Sequence, residues 1–212
     1  MTLAPSPTPL FQLDAITFRY PQSLALDSLS LEIVRGQRIA FLGANGSGKS
    51  TLLRLLAALQ FPESGSLRFE GELLGEDRFA DDDFAYAFRR RVGLVFQDSD
   101  AQLFNPTVYD EIAFGPLQLD LPKNEVRSRV DRMLEQFGIG DLAKRIPHHL
   151  SGGEKRKVAL ASILVMSPEV ILLDEPTAGL DPRSQTQLVD LLMSWSDQSK
   201  TIIVATHDLH ML

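Results

Sequence analysis

One stretch holds the most specific chemistry in the chain. Gly43-Ala44-Asn45-Gly46-Ser47-Gly48-Lys49-Ser50-Thr51 fits G-x-x-x-x-G-K-[ST]. It lies between a continuously apolar run, Ile39-Ala40-Phe41-Leu42, and a helical pattern over Thr51–Leu59. Glycines let the backbone curl until successive N–H groups face one centre, and the helix start adds its positive end. Such a loop cradles phosphate oxygens. Lys49 is placed to reach β- and γ-phosphates, and the Ser50 hydroxyl to ligate Mg²⁺. The bland alternative, a glycine turn capping a helix, is outweighed by the strand–loop–helix context. Further on, Val170-Ile171-Leu172-Leu173-Asp174-Glu175 reads as a buried strand ending in two acids. Asp174 at the strand end can hold Mg²⁺, usually through water. Glu175 would point elsewhere and can polarise an attacking water as a general base. A strand ending in acids is weak alone and strong after a phosphate loop. No N-K-x-D element of guanine specificity occurs, which favours ATP over GTP.

Positioning these groups takes a scaffold, and the hydropathy pattern indicates one. Apolar residues alternate over Phe11–Tyr20, with a phase change near Ala15 that predicts a bulged strand. Leu29, Leu31 and Ile33 form a second alternating strand; both have one wet face, as antiparallel strands often do. Ile39–Leu42, Val170–Leu173 and Ile202–Ala205 are instead continuously apolar, which predicts strands buried on both faces. Ser66–Leu74 reads as a hairpin turning at Gly71, residues 76–91 as a helix acidic at its start and basic at its end, and Val92–Phe96 as a strand. Residues of about 98–150 are mostly helical, with loops at Asn105-Pro106 and Gly115-Pro116, and resemble an inserted lobe; Ser151–Met166 is a further helix. Strands alternating with helices imply a mainly parallel α/β sheet. Residues 1–10, with three prolines, read as a loose leader. The chain stops at Leu212 just after a strand, so a truncated C-terminal end is an open alternative.

Composition excludes several classes. With 212 residues, 44% of them hydrophobic and 23% charged, the chain can bury a core as one domain and is neither disordered nor coiled coil. A net charge of −7 argues against nucleic acid as a partner. There is no cysteine, which removes disulfides, thiolate metal sites and a Cys nucleophile and fits a reducing compartment. The richest apolar runs, Val158–Met166 and Thr51–Leu59, are about nine residues and are broken by Ser162 and Arg54, against roughly 20 for a membrane span.

Leu150-Ser151-Gly152-Gly153-Glu154 resembles the LSGGQ signature of ATP-binding cassette (ABC) ATPases, and the resemblance covers about residues 11–212. It implies a P-loop, RecA-like α/β fold with an N-terminal antiparallel β subdomain and an inserted helical signature subdomain. Ser151, Gly152 and Gly153 open a helix whose N–H groups can face a γ-phosphate. In the family that phosphate sits on the opposite subunit, so two cassettes sandwich ATP. By the same resemblance Tyr20 matches the aromatic that stacks on adenine, and Gln97 the glutamine touching Mg²⁺ and the attacking water. Asp181 matches the loop aspartate coupling the two sites, and His207 the switch histidine on the γ-phosphate.

Finer features point within the family. Phe96-Gln97-Asp98-Ser99-Asp100-Ala101-Gln102-Leu103-Phe104, then Pro106-Thr107-Val108 and Ile112–Pro116, resemble the ATPases of energy-coupling-factor transporters, which take up cobalt, nickel or vitamins. Ser162 stands where many other ABC ATPases have arginine, a departure common in that subfamily. The resemblance implies a second ABC ATPase subunit, a multi-span transmembrane coupling protein, a small substrate-capture membrane protein, and a peripheral place on the cytoplasmic face of the membrane. The alternatives are an ATPase of another ABC transporter class and a soluble ABC ATPase outside transport. His148-His149 and His207-x-x-His210 permit ligand pairs, but no further ligand completes a metal set, so they read as ordinary histidines.

Overall fold

A computed structural model describes residues 9–119, 121–194 and 200–207. Two four-stranded sheets organise it. The first is antiparallel, in the order β2-β1-β4-β5, from β1 (Phe11–Tyr20), β2 (Ser23–Ile33), β4 (Ser64–Phe69) and β5 (Glu72–Leu73). The second is parallel, in the order β3-β8-β7-β6, from β3 (Arg38–Leu42), β6 (Val92–Val95), β7 (Val170–Asp174) and β8 (Thr201–Thr206). The bulge in β1 falls at Ala15: Leu13 pairs with Leu31 but Ile16 with Leu29, and Ala15 has φ 48°.

Helix α1 (Lys49–Leu56) runs between the sheets. Thr51, Leu52, Leu53, Leu55 and Leu56 are all buried, because a helix covered on two sides needs apolar residues around most of its girth. The parallel strands divide their side chains by the two-residue period. Val170 and Leu172 of β7 and Ile203 and Ala205 of β8 face α1, whereas Ile171, Leu173, Ile202 and Val204 face a second core. That second core is built by α4 (Val108–Gln118), α5 (Lys123–Gln136), α6 (Gly152–Leu164) and α7 (Pro182–Ser194). Arg35, Glu70, Arg91 and Glu169 form an ion network joining the two sheets: Arg91 reaches Glu70 at 2.7 Å and Glu169 at 3.0 Å, and Arg35 contacts both acids.

Four readings of the sequence need correction. Leu10 belongs to no loose leader: it is buried and its N–H donates to Ile33 O at 2.7 Å, while residues 1–8 lie outside the described residues. Strand β3 is half-buried, since among the described residues it pairs only with β8 and stands at the sheet edge. Residues 76–91 form two helices, α2 (Glu76–Phe79) and α3 (Asp82–Arg91), because the Asp81 carboxylate caps the second by accepting from the N–H groups of Asp83 and Phe84. Gly115-Pro116 is not a loop but lies inside α4. A Cβ on Gly115 would stand 2.5 Å from Met166 Sδ, so the glycine serves helix packing instead of a turn.

Candidate nucleotide site

The phosphate loop joins β3 to α1. Gly48 ends it at φ 91°, and a Cβ there would meet Ala25 O at 2.4 Å, so both the conformation and the space require glycine. Lys49 Nζ donates to Gly43 O at 2.6 Å and Ala44 O at 3.1 Å across the loop. The loop forms one wall of a cavity of about 460 Å³. Asn45, Gly46, Ser47, Gly48, Lys49, Ser50 and Thr51 line it together with Tyr20, Gln97 and Glu175. Residues from four separate stretches of sequence therefore meet at one opening. Tyr20 stands at its edge, its hydroxyl anchored by Arg54 Nη1 at 3.2 Å and donating to Gln60 Oε1 at 3.3 Å. Burial raises the Tyr20 pKa, but hydrogen bonds with Thr51, Gln60 and Arg54 outweigh it and hold the phenol below its ordinary value.

Asp174 and Glu175 differ in surroundings, as neighbours on a strand end should. Asp174 is buried, and burial holds its carboxyl above the usual range although the Ser50 hydroxyl opposes this. Its Oδ1 has no hydrogen-bond partner among the described residues. A buried, unsatisfied carboxylate oxygen next to a serine hydroxyl fits a hard cation or its bound water, so the residues suit Mg²⁺. Glu175 is 4% exposed and has φ 46°, a left-handed backbone rare for glutamate. Its carboxylate accepts from Thr206 Oγ1 at 3.1 Å and lies 2.8 Å from His207 Nδ1. His207, assigned from the resemblance to a γ-phosphate contact, thus sits on Glu175 at the end of β8.

Other candidates lie apart from this cavity. Ser151 caps α6 through a capping box: its Oγ accepts from Glu154 N–H, and its own N–H donates to Glu154 Oε2 at 2.8 Å. Ser151, Gly152, Gly153 and Asp181 are not among the residues lining the phosphate-loop cavity. Gly153 instead lies beside Gly179, whose carbonyl would be 3.3 Å from an added Cβ. Asp181 accepts from the Ser184 N–H at 3.0 Å and hydroxyl at 2.6 Å and so starts α7. His148 is 3.7 Å from Asp100, His210 lies outside the described residues, and no group of three metal-binding side chains occurs among the described residues.

Sequence reasoning missed Arg156. It is the largest fully buried side chain among the described residues, and its guanidinium reaches the main chain at both Gln97 and Glu175. One signal was available: Arg156 shares a helical stripe with Ala159, Leu160 and Ile163, so it had to face inward. Gln102 belongs to the segment that resembles the energy-coupling-factor ATPases, and its type alone assigns it no contact. Its Nε2 donates to Ser162 Oγ at 3.2 Å and Ala159 O at 2.8 Å, so Gln102 and Ser162 form one contact.

Known proteins agree with this arrangement. The ABC transporter family profile matches residues 26–178. The nickel import ATP-binding protein NikO of Rhodobacter capsulatus is 53% identical over 97% of this chain and 82% of its own length. The energy-coupling factor transporter ATP-binding protein EcfA2 of Methanospirillum hungatei is 43% identical over 96% of this chain and 50% of its own. A dimeric post-hydrolysis structure of the ATP-binding cassette MJ0796, bound to ADP and Pi, superposes with a TM-score of 0.84 at 28% identity, over 95% of this chain and 89% of that one. A profile over most of the chain, and a relative more than half identical across nearly all of it, leave one conclusion: the chain belongs to the ABC transporter family as an ATP-binding cassette ATPase.

Proposed function

We propose that the chain is the ATP-hydrolysing subunit of a membrane importer of the energy-coupling-factor type, powering uptake of cobalt, nickel or a vitamin. Residues 11–212 act as one cassette, with the helices of about 98–150 as its inserted lobe. The observation that carries the catalytic part is the meeting of the phosphate loop, Gln97 and Glu175 at one cavity, with the unsatisfied Asp174 Oδ1 near Ser50. Tyr20 stacks on adenine, the loop N–H groups and Lys49 hold the phosphates, and Glu175 takes a proton from the attacking water. Ser50, Gln97 and Asp174 would hold Mg²⁺, which supplies charge neutralisation on the phosphates when bound. Ser151, Gly152 and Gly153 lie outside this cavity, which fits their serving the nucleotide of a second ABC subunit in a head-to-tail dimer, with Asp181 linking the two sites. His207 holds Glu175 in place and transfers its contact to the γ-phosphate.

The importer part rests on an exposed aromatic pair beside the Gln97 segment. Phe104, 65% exposed, and Phe114 meet edge to face at 5.1 Å, with Leu117 exposed on the same helix as Phe114. An exposed apolar patch on the inserted lobe suits docking to a membrane protein. No helix among the described residues is long and apolar enough to cross a membrane, so attachment to the cytoplasmic face would run through that partner. The nickel and energy-coupling-factor relatives support the cargo class.

The test is to purify the tagged chain from gently solubilised membranes of its own host and identify its companions by mass. Recovery with a multi-span membrane protein and a small capture protein supports the importer, and a second ATPase would define a heterodimer. A membrane partner without a capture protein indicates another transporter class. Recovery only in the soluble fraction, with ribosomes or nucleic-acid factors, would sink the transport reading and leave the ATPase standing.

A further inference from the structure

Arg156 lies one turn into α6, 1% exposed, and no carboxylate side chain pairs with it among the described residues. Its partners are main-chain carbonyls. Nε donates to Pro176 O at 3.1 Å, Nη1 to Gln97 O at 3.2 Å and to Phe96 O, and Nη2 to Asp174 O at 2.7 Å and to Glu175 O. A guanidinium has five N–H donors in a fixed plane, and here each has a separate acceptor. Burying a charge with no carboxylate in contact is costly even with the charges of Asp174 and Glu175 acting on it from nearby, so a residue kept there needs a task that an apolar side chain cannot do. The five carbonyls belong to two places, the end of β6 running into Gln97 and the end of β7 carrying Asp174 and Glu175.

The backbone at Glu175 shows why a clamp is needed. A φ of 46° is uncommon for a glutamate and, at a functional site, is held by the surroundings. Arg156 holds the carbonyls of that residue and of both its neighbours. The same helix grips the Gln97 segment twice more. Lys155 Nζ reaches Asp100 at 2.6 Å, and Gln102, which accepts from the Phe96 N–H at 3.2 Å, donates to Ala159 O and Ser162 Oγ. That segment then leads directly to exposed Phe104.

We propose that Arg156 is a positioning residue for hydrolysis: it fixes the main chain at Glu175 and at Gln97 to the signature helix, so that these two groups keep one spacing at the cavity. The inference rests on the roles proposed above for Glu175 and Gln97. Arg156 touches no reacting atom. A lysine would keep the charge but offers three donors from one point and cannot span both strand ends.

The test uses Arg156→Lys and Arg156→Met in the full chain with its co-purified partners, with rates normalised to the fraction that binds nucleotide. Misplacing a catalytic group by about 1 Å can cost on the order of a hundredfold, so kcat should fall about ten- to hundredfold in Arg156→Lys. KM and the Kd for ATP should change by less than about threefold, because the phosphate loop is untouched. Single-turnover rates in a Glu175→Gln background give the decisive reading. There Arg156→Lys should cost clearly less than in the wild-type background, since one of the two groups it positions is already disabled. An unchanged kcat in Arg156→Lys would overturn the inference. So would an equal loss with and without Glu175, or kcat and affinity falling in parallel, which is the pattern of a purely structural residue. If Arg156→Met does not fold, Arg156→Lys alone decides. Wild-type turnover in Glu175→Gln by itself would instead show that the assignment of the base had failed.

Discussion

Replacing Gly115 by alanine should change the sign of its effect when Met166 is shortened. Within α4 an alanine is favoured over glycine by about 1 kcal/mol, so helix propensity alone makes Gly115→Ala stabilising. The added Cβ, however, would stand 2.5 Å from Met166 Sδ and 3.0 Å from its Cγ, against ordinary contacts near 3.4–4 Å. Met166 must retreat by roughly 1 Å, and overpacking of that kind costs about 1–3 kcal/mol. The net expectation is about 0–2 kcal/mol of destabilisation. Met166→Ala alone leaves a gap at the α4–α6 contact and costs about 1–3 kcal/mol, less than a fully buried methionine because Met166 is only partly buried. In the double variant the new methyl enters the vacated space and the helix keeps its propensity gain. Adding Gly115→Ala to Met166→Ala should therefore stabilise by about 1 kcal/mol, a coupling of about 1–3 kcal/mol. Urea unfolding at 25 °C reads all four corners of the cycle, with unchanged m-values as the check on two-state behaviour. Equal destabilisation by Gly115→Ala in both backgrounds would refute the packing argument and return Gly115 to a role in backbone conformation.

Three further expectations follow from the site and the ion network. Tyr20→Ala should raise the Kd for ATP about tenfold by removing about 1.4 kcal/mol of ring stacking, while Tyr20→Phe stays within about threefold; equal effects in a fluorescent-nucleotide titration would point to the hydroxyl contacts instead of the ring. Glu70 and Glu169 are held below the usual carboxylate range, chiefly by hydrogen bonds from Arg91, so their contribution is present above the unfolded value near pH 4.3 and is lost as pH falls through the lower folded value. Arg91→Met should flatten the loss of stability on acidification below about pH 4.5, by no more than about 1 kcal/mol because these groups are partly exposed, and an unchanged pH slope would show the network to be idle. Phe104→Ser with Phe114→Ser should lower co-recovery of the membrane partner about tenfold with a melting temperature near wild type; intact recovery would move the docking surface elsewhere.

Why some of this could be read from residue types and some could not is a question of range. The phosphate loop was legible because its chemistry is local: glycines, a lysine and a hydroxyl must be adjacent in sequence to face one phosphate. The Ala15 bulge was legible for a similar reason, since a phase change in a two-residue period has few other causes. The burial of strand β3 was overread because a continuous apolar run does not report how many neighbours a strand has, and among the described residues β3 has only β8 beside it. Gly115-Pro116 was misread because both residues favour turns, while the contact that governs them comes from Met166, far along the chain. Arg156 shows the limit most clearly. Its five acceptors are backbone carbonyls, which every residue carries, so nothing about Phe96, Gln97, Asp174, Glu175 or Pro176 as types announces them. Only folding brings two strand ends to one helix. The residues that do chemistry can be read by type, whereas the residue that holds them in register is visible only where the main chain converges. A substitution at Arg156 is therefore predicted by geometry to act on turnover, a consequence that residue chemistry alone would not suggest.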